Sequence, residues 1–290
     1  SGTDPAYGQG GLAMGNSIIS TTNGAITLTG TAQATSMGGI GGQAFQFDNT
    51  TISSTTGNIT LTGISTLSGE RPFGSSGATV SSTSGNIAIY AQDVGDGTGV
   101  NLSNVQVQTG GDVTVSPTGP GVGNLTTPVI YGANNVVIGG ANMYGGLTNN
   151  SPITATGFVL FEAGGLYGGA ATAHGGSIFS NSAITTYDQP ISLLAGSAVP
   201  LTPGGNVYST GTGGVSVGAN LTSNGGDITI ENGSTGGNLN SLGSPGGGGV
   251  NNAIVDASTP ALGGNGGNIM MAGTAMLMPD GNYEQYVTRA

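Results

Sequence analysis

The chain has 290 residues, 60 of them Gly, with a formal net charge of −11, two basic side chains and no Cys. Two Arg cannot form a basic patch, so recognition of nucleic acid or of an anionic membrane by charge is excluded; without Cys there are no disulfides and no His/Cys zinc site. Helices usually carry Leu, Ala, Glu, Lys and Arg, whereas this chain uses Ser, Thr, Asn and Gly, which suit turns and strand surfaces; an almost helix-free protein is expected.

Residues 1–16 read as a Gly-rich, extended N-terminal segment. From Ser17 a unit repeats: a short strand, a turn of Gly with Asn or Asp, then a strand with apolar residues at every second position, the signature of a half-buried strand. The unit appears as "SIISTTNGAITLTG", "TTISSTTGNITLTG", "ATVSSTSGNIAIYAQ" and "VQVQTGGDVTVSP". It continues as "PVIYGANNVVIGG", "PITATGFVLFEAG", "AITTYDQPISLLAG", "NVYSTGTGGVSVGAN", "LTSNGGDITIENG" and, near the end, "GGNIMMAG". The first apolar residue after each turn is Ile26, Ile59, Ile87, Val113, Val136, Val159, Ile191, Val215, Ile228 and Ile269. The intervals are 33, 28, 26, 23, 23, 32, 24, 13 and 41 residues, the last two marking a misplaced register point. The variation falls in Gly-rich insertions such as residues 243–252.

Units of this size with a constant register predict coils of a parallel β-solenoid, about ten in number, spanning residues 17–278. Ile26, Ile59, Ile87 and Val113 are then one inward ladder, and Leu28, Leu61, Ile89 and Val115 a second, with Thr27, Thr60, Ala88 and Thr114 outward. An antiparallel β-sandwich is the alternative, since it also gives short, evenly spaced strands. The apolar run "IMMAGTAMLM" has ten residues, well under the ~20 of a bilayer span, and reads as buried strands. The last segment, residues 279–290, turns at "PDGN" and ends in the β-prone "YEQYVTRA".

The phrases "GNITLTG", "GNIAIYAQ", "GGDVTVS" and "GGDITIENG" resemble the repeats of filamentous-haemagglutinin-type bacterial surface proteins. The resemblance runs from Ser17 to Gly273. It implies a right-handed β-helix, export to the cell surface with the signal peptide already removed, and a role in adhesion or in an extracellular fibre. The Asn-Pro-Asn-Gly secretion signature of that family is absent from the sequence.

Chemistry is sparse. The acids are dispersed, and glycoside cleavage needs two carboxyl groups about 5 to 10 Å apart; no enzymatic activity is expected. The densest acidic stretch, "AQDVGDGTGVN", gives Asp93 and Asp96, with Asp112 one coil on, as weak candidates for Ca²⁺ through oxygen ligands. No other cofactor is indicated. His174 is the only histidine and no G-x-S-x-G elbow accompanies it. "GERPFG", with the isolated Arg71, reads as an exposed loop able to contact a neighbour. A solenoid leaves the backbone of its terminal coils unpaired unless capped, and neither terminus has a capping helix. The sequence therefore points to self-association: a homopolymer in which Tyr283, Tyr286 and Val287 of the tail, with Arg71, make the contact by strand addition. The second reading is an adhesin passenger that binds surface glycans through Tyr90, Tyr131 and Tyr208.

Overall fold

The computed structural model describes residues 11–32, 43–66, 71–75, 77–93, 99–118, 124–140, 143, 145–166, 173–174, 176–195, 214–232, 238–239, 247–250, 253–259, 266–272 and 288–289. They contain strands and turns and no helix. The chain divides into two compact units, Ser1–Ile138 and Gly139–Ala290.

In the first unit successive passes of the chain place equivalent strands side by side in parallel. β1 (Leu12–Gly15), β4 (Gln43–Asp48) and β7 (Arg71–Ser75) form one sheet. A second contains β2 (Ile18–Thr21), β5 (Thr50–Ser54), β8 (Ala78–Ser82), β11 (Val105–Thr109) and β14 (Val129–Ala133). A third contains β3 (Ile26–Ala32), β6 (Ile59–Ser65), β9 (Ile87–Asp93), β12 (Val113–Thr118) and β15 (Val136–Gly140). β10 (Val100–Asn101) and β13 (Leu125–Thr126) pair in a fourth. The register matches the repeated phrase: Ile26 opposes Ile59, Ile59 opposes Ile87, Ile87 opposes Val113 and Val113 opposes Val136. The second ladder, Leu28, Leu61, Ile89 and Val115, holds in the same pairs. Parallel pairing throughout these sheets sets aside the antiparallel sandwich and gives the strand arrangement of a parallel β-solenoid.

Burial follows the pleat. Ile59, Leu61, Ile87, Ile89, Val113 and Val115 are buried, while Thr27 and Tyr90 are exposed. Phe45, Phe47 and Phe73 are stacked face to face inside, the Phe45 and Phe73 rings 5.1 Å apart and 3° from parallel. Such pairs add about 0.5–1.5 kcal/mol to the area they bury. The described part of "GERPFG" is therefore not an exposed loop: Arg71–Ser75 is β7, Phe73 packs on Phe45, and of residues 71–74 only Arg71 is exposed.

In the second unit β18 (Val159–Ala163), β23 (Ile191–Ala195), β26 (Ile228–Asn232) and β30 (Ile269–Ala272) stack in parallel. Val159, Ile191, Ile228 and Ile269 are in register. Val215 is absent from that row. It opens β24 (Val215–Val217), which pairs with β21 (Ile178–Ser180) in the sheet that also holds β16 (Leu147–Asn149). "GGVSV" imitates the phrase because any inward strand after a glycine does so. A third sheet holds β17 (Ile153–Ala155), β22 (Ile184–Thr185), β25 (Leu221–Thr222) and β29 (Val255–Asp256). Part of the 243–252 insertion is itself strand, β28 (Gly247–Val250), flanked by β24 and by β27 (Asn238–Leu239). Two antiparallel pairs interrupt the parallel pattern. One joins β19 (Gly165–Leu166) to β20 (Ala173–His174), and the other joins β30 to β31 (Thr288–Arg289).

What fixes the stack is the corner before the third sheet. There Ser54 accepts the Gly57 N–H at 2.8 Å and donates to the Gly24 carbonyl of the previous pass at 3.3 Å. Ser82 does the same between Gly85 (2.9 Å) and Gly57 (3.1 Å), and Thr109 between Gly111 (2.9 Å) and Gly85 (2.6 Å). Each buried hydroxyl thus satisfies one orphan donor and one orphan acceptor. The passes approach so closely that a Cβ on Gly57 would overlap the Gly24 carbonyl oxygen, and one on Gly85 that of Gly57. Gly85→Ala should therefore lower stability by about 3 kcal/mol or more, the range reserved for backbone clashes in a packed interior. Gly15→Ala, where a Cβ meets nothing within 4 Å, should change it by less than ~1 kcal/mol. Denaturant melts of the two variants measure this. Ser82→Ala, which strands the Gly85 N–H and the Gly57 carbonyl, should cost about 1–3 kcal/mol.

Candidate assembly edges

The residues singled out for metal binding sit apart or do structural work. Asp93 ends β9 opposite Ser65, and Asp96 lies outside the described residues. Asp112 is a rung of a second corner ladder. Its Oδ1 accepts the Asn135 N–H at 3.1 Å, Asn135 Nδ2 at 2.9 Å and Asn134 Nδ2 at 2.9 Å. Asn86 Oδ1 accepts the Asp112 N–H, and Asn58 Oδ1 the Asn86 N–H, both at 2.9 Å. In the second unit Asp227 Oδ1 accepts the Asn268 N–H at 2.7 Å. The position needs a short side chain ending in a carbonyl-type oxygen, which Asn and Asp share. Among the described residues no group of three acid or histidine side chains could hold a metal ion.

Tyr90 and Tyr131 are exposed, 39% and 44%, but on different sheets, β9 and β14; Tyr208 lies outside the described residues. No helix among the described residues is long and apolar enough to cross a membrane.

Exposed backbone edges are the notable feature. β1, β2 and β3 are each the outermost strand of their sheets. Among the described residues each pairs on one side only, with β4, β5 and β6 respectively. In parallel strands alternate residues bond to one neighbour and the rest face the other way. Ile26 donates its N–H to Asn58, so the N–H groups of Thr27 and Thr29 point to the open side. Some inward side chains of this layer are more open than those one pass on, although Ile26 and Ala32 of β3 are buried. Leu12, Ile19 and Leu28 are only half-buried, whereas Phe45, Ile52 and Leu61, one pass on, are no more than 1% exposed. Ile18, on the outer face of β2, is 78% exposed.

The last layer of the second unit mirrors this. Val255, Ile269 and Met271 are half-buried, while Leu221, Ile228 and Ile230 beneath them are fully buried. Met270 is 49% exposed, so β30 is not the buried strand expected from its composition; among the described residues no complete layer follows it. β31 lies on the outer side of β30, Arg289 opposite Met270 and Thr288 opposite Met271. Tyr283, Tyr286 and Val287 lie outside the described residues, and the strand that follows them pairs within its own chain.

No family model, no curated protein and no solved structure matches this chain.

One acid carries an energetic signal. Glu162, on the outward row of β18 opposite Leu194, is half-buried, and burial raises its pKa above the ordinary value of 4.5. A raised carboxyl pKa means that ionised Glu162 disfavours the folded state, and that this penalty disappears as pH falls through the raised value. Glu162→Gln should therefore raise the melting temperature at pH 7, and the difference from the unmodified protein should shrink as pH falls through the raised value and vanish once pH is below the ordinary 4.5. A thermal melt series across pH checks it.

Proposed function

We propose that this chain is the structural subunit of an extracellular or cell-surface filament or sheath that self-assembles by β-strand pairing between copies. The uncovered edge of β1, β2 and β3 carries the reading. An exposed edge with unpaired N–H and C=O groups is a template for another strand, and natural proteins that stay monomeric protect theirs with charge, proline or bulges. This one has no charged residue in any of the three strands. The coil geometry we adopt is a right-handed β-helix of about ten turns. A contact between unlike surfaces of identical copies does not close on itself and propagates into a filament.

Composition supports the same reading. A surface of Ser, Thr, Asn and Gly with 5% charged residues lets neighbouring filaments meet over mostly uncharged groups, the net −11 being spread over 290 residues. Export rests on the repeat resemblance. The glycan-binding alternative is weaker, because sugar stacking needs clustered rings and Tyr90 and Tyr131 stand on separate sheets.

Negative-stain microscopy of the purified chain at neutral pH, with diffraction from aligned material, tests this. Uniform filaments with an axial reflection near 4.8 Å, the interstrand spacing, are expected. Dispersed particles at every concentration would remove the reading.

A further inference from the structure

Resting on that self-assembly reading, we infer that the corner of β30 in one copy receives the corner of β3 from the next, in the register Ile269 to Ile26, and that the incoming strand replaces β31. The argument starts from Gly24. At the corners of later passes glycine is compulsory because a Cβ would strike the backbone of the pass before: Gly57 against Gly24, Gly85 against Gly57, Gly226 against Gln189, Gly267 against Gly226. A Cβ on Gly24 meets only the side chain of its own neighbour Thr21, the nearest atom at 3.0 Å. Its φ is not in the left-handed region. Among the described residues no backbone of another pass demands glycine there, only the close approach of the Thr21 hydroxyl. A preceding pass would demand it, and a second copy is the source of that pass we infer, because the last corner of the second unit presents the matching groups.

The hydrogen-bonding groups agree. In the first unit two bonds tie the Gly85 and Gly111 corners to the one before: a Ser or Thr hydroxyl donates to the earlier Gly carbonyl, and a backbone N–H donates to the earlier Asn Oδ1. On the first corner Thr21 accepts the Gly24 N–H at 3.1 Å, as its successors do, but has no earlier carbonyl to donate to among the described residues. The Ala25 N–H likewise occupies the place of the Asn86 and Asp112 N–H groups without an Oδ1 before it. The last corner of the second unit holds the missing halves. Asn268 gives its N–H and Nδ2 to Asp227 Oδ1, at 2.7 and 3.1 Å, which leaves its own Oδ1 for a following N–H. Gly267 donates to the Ala257 carbonyl at 2.8 Å and leaves its own carbonyl for a following hydroxyl. In the inferred register the half-buried Leu28 lies against the half-buried Met271, closing the inner row on both sides.

β31 stands in the way but weakly. It contributes two residues in the antiparallel sense, against the seven of β3 in the parallel sense that the rest of the stack uses.

The chain has no Cys, so introduced thiols report alone. In the inferred register Thr27 opposes Met270, both on the outer face and exposed. Adjacent parallel positions fall within disulfide reach, whereas a two-residue offset, about 7–8 Å, falls outside it. Filaments of the Thr27→Cys/Met270→Cys double variant, oxidised and run on a denaturing gel without reductant, should give a ladder of covalent oligomers; Thr29→Cys/Met270→Cys should stay monomeric. Filaments that leave the first pair unlinked, or link the offset pair instead, overturn the register while the self-assembly reading stands. Absence of filaments from the unmodified chain overturns both. A second variant guards against a folding effect. Thr29→Pro removes only an N–H that faces away from β6, a site where a strand tolerates proline. Circular dichroism should be unchanged and filament growth lost; growth equal to that of the unmodified chain would contradict β3 as the joining strand.

Discussion

The structure depends on how closely one turn can sit on the turn before it. At the corner preceding the third sheet of the first unit, the backbone of one pass lies against a glycine carbonyl of the last, with no room for a Cβ. Polar groups so confined must be paired or they cost about 1–3 kcal/mol each. A hydroxyl from Ser54, Ser82 or Thr109 bridges the two passes, and an Asn or Asp beside it ties the next N–H down. These bonds hold the passes in a single register. A slip of one residue would send Ile59 and Leu61 outward and Thr60 inward. The inner ladders, the phenyl stack beneath β4 and β7, and the alternation of the outer face all follow from that register.

This arrangement was legible where a residue type had a single reason to recur. Ile26, Ile59, Ile87 and Val113 announce the inner row because apolar residues at a constant distance from a Gly-Asn turn have no other use. The Asn or Asp of the turn was legible as a turn former, yet its larger role, accepting an N–H one pass away, is a contact between residues more than twenty positions apart. The corner hydroxyl was not legible. It is a Ser or Thr two or three places before the glycine, and in a chain so rich in both it does not stand out. Val215 was misread because "GGVSV" has the form of the phrase, and only pairing partners distinguish one inward strand from another. Phe73 was hidden by its neighbours. Glu70, Arg71 and Pro72 make "GERPFG" look like a loop, but one buried ring outweighs the flanking polarity.

The same economy bears on function. Charged residues are few, and two of the acids serve as hydrogen-bond acceptors in turns, Asp112 and Asp227. Among the described residues the repeating interface has no further strand beyond β1, β2 and β3. A protein stabilised by stacking one pass on another can extend that stacking to a second copy without any new kind of contact. In the proposed assembly, Gly24 and Thr21 are the residues that a preceding pass would meet.

The central claim is that β3 is an open rung that a second copy completes. Amide hydrogen exchange, read residue by residue in dispersed and assembled protein, tests it most directly. The account predicts that the Ile59 and Ile87 amides are protected in both forms, and that the Ala25, Thr27 and Thr29 amides exchange freely when dispersed and become protected on assembly. Protection of these three in the dispersed chain, or free exchange in the assembled one, would contradict it.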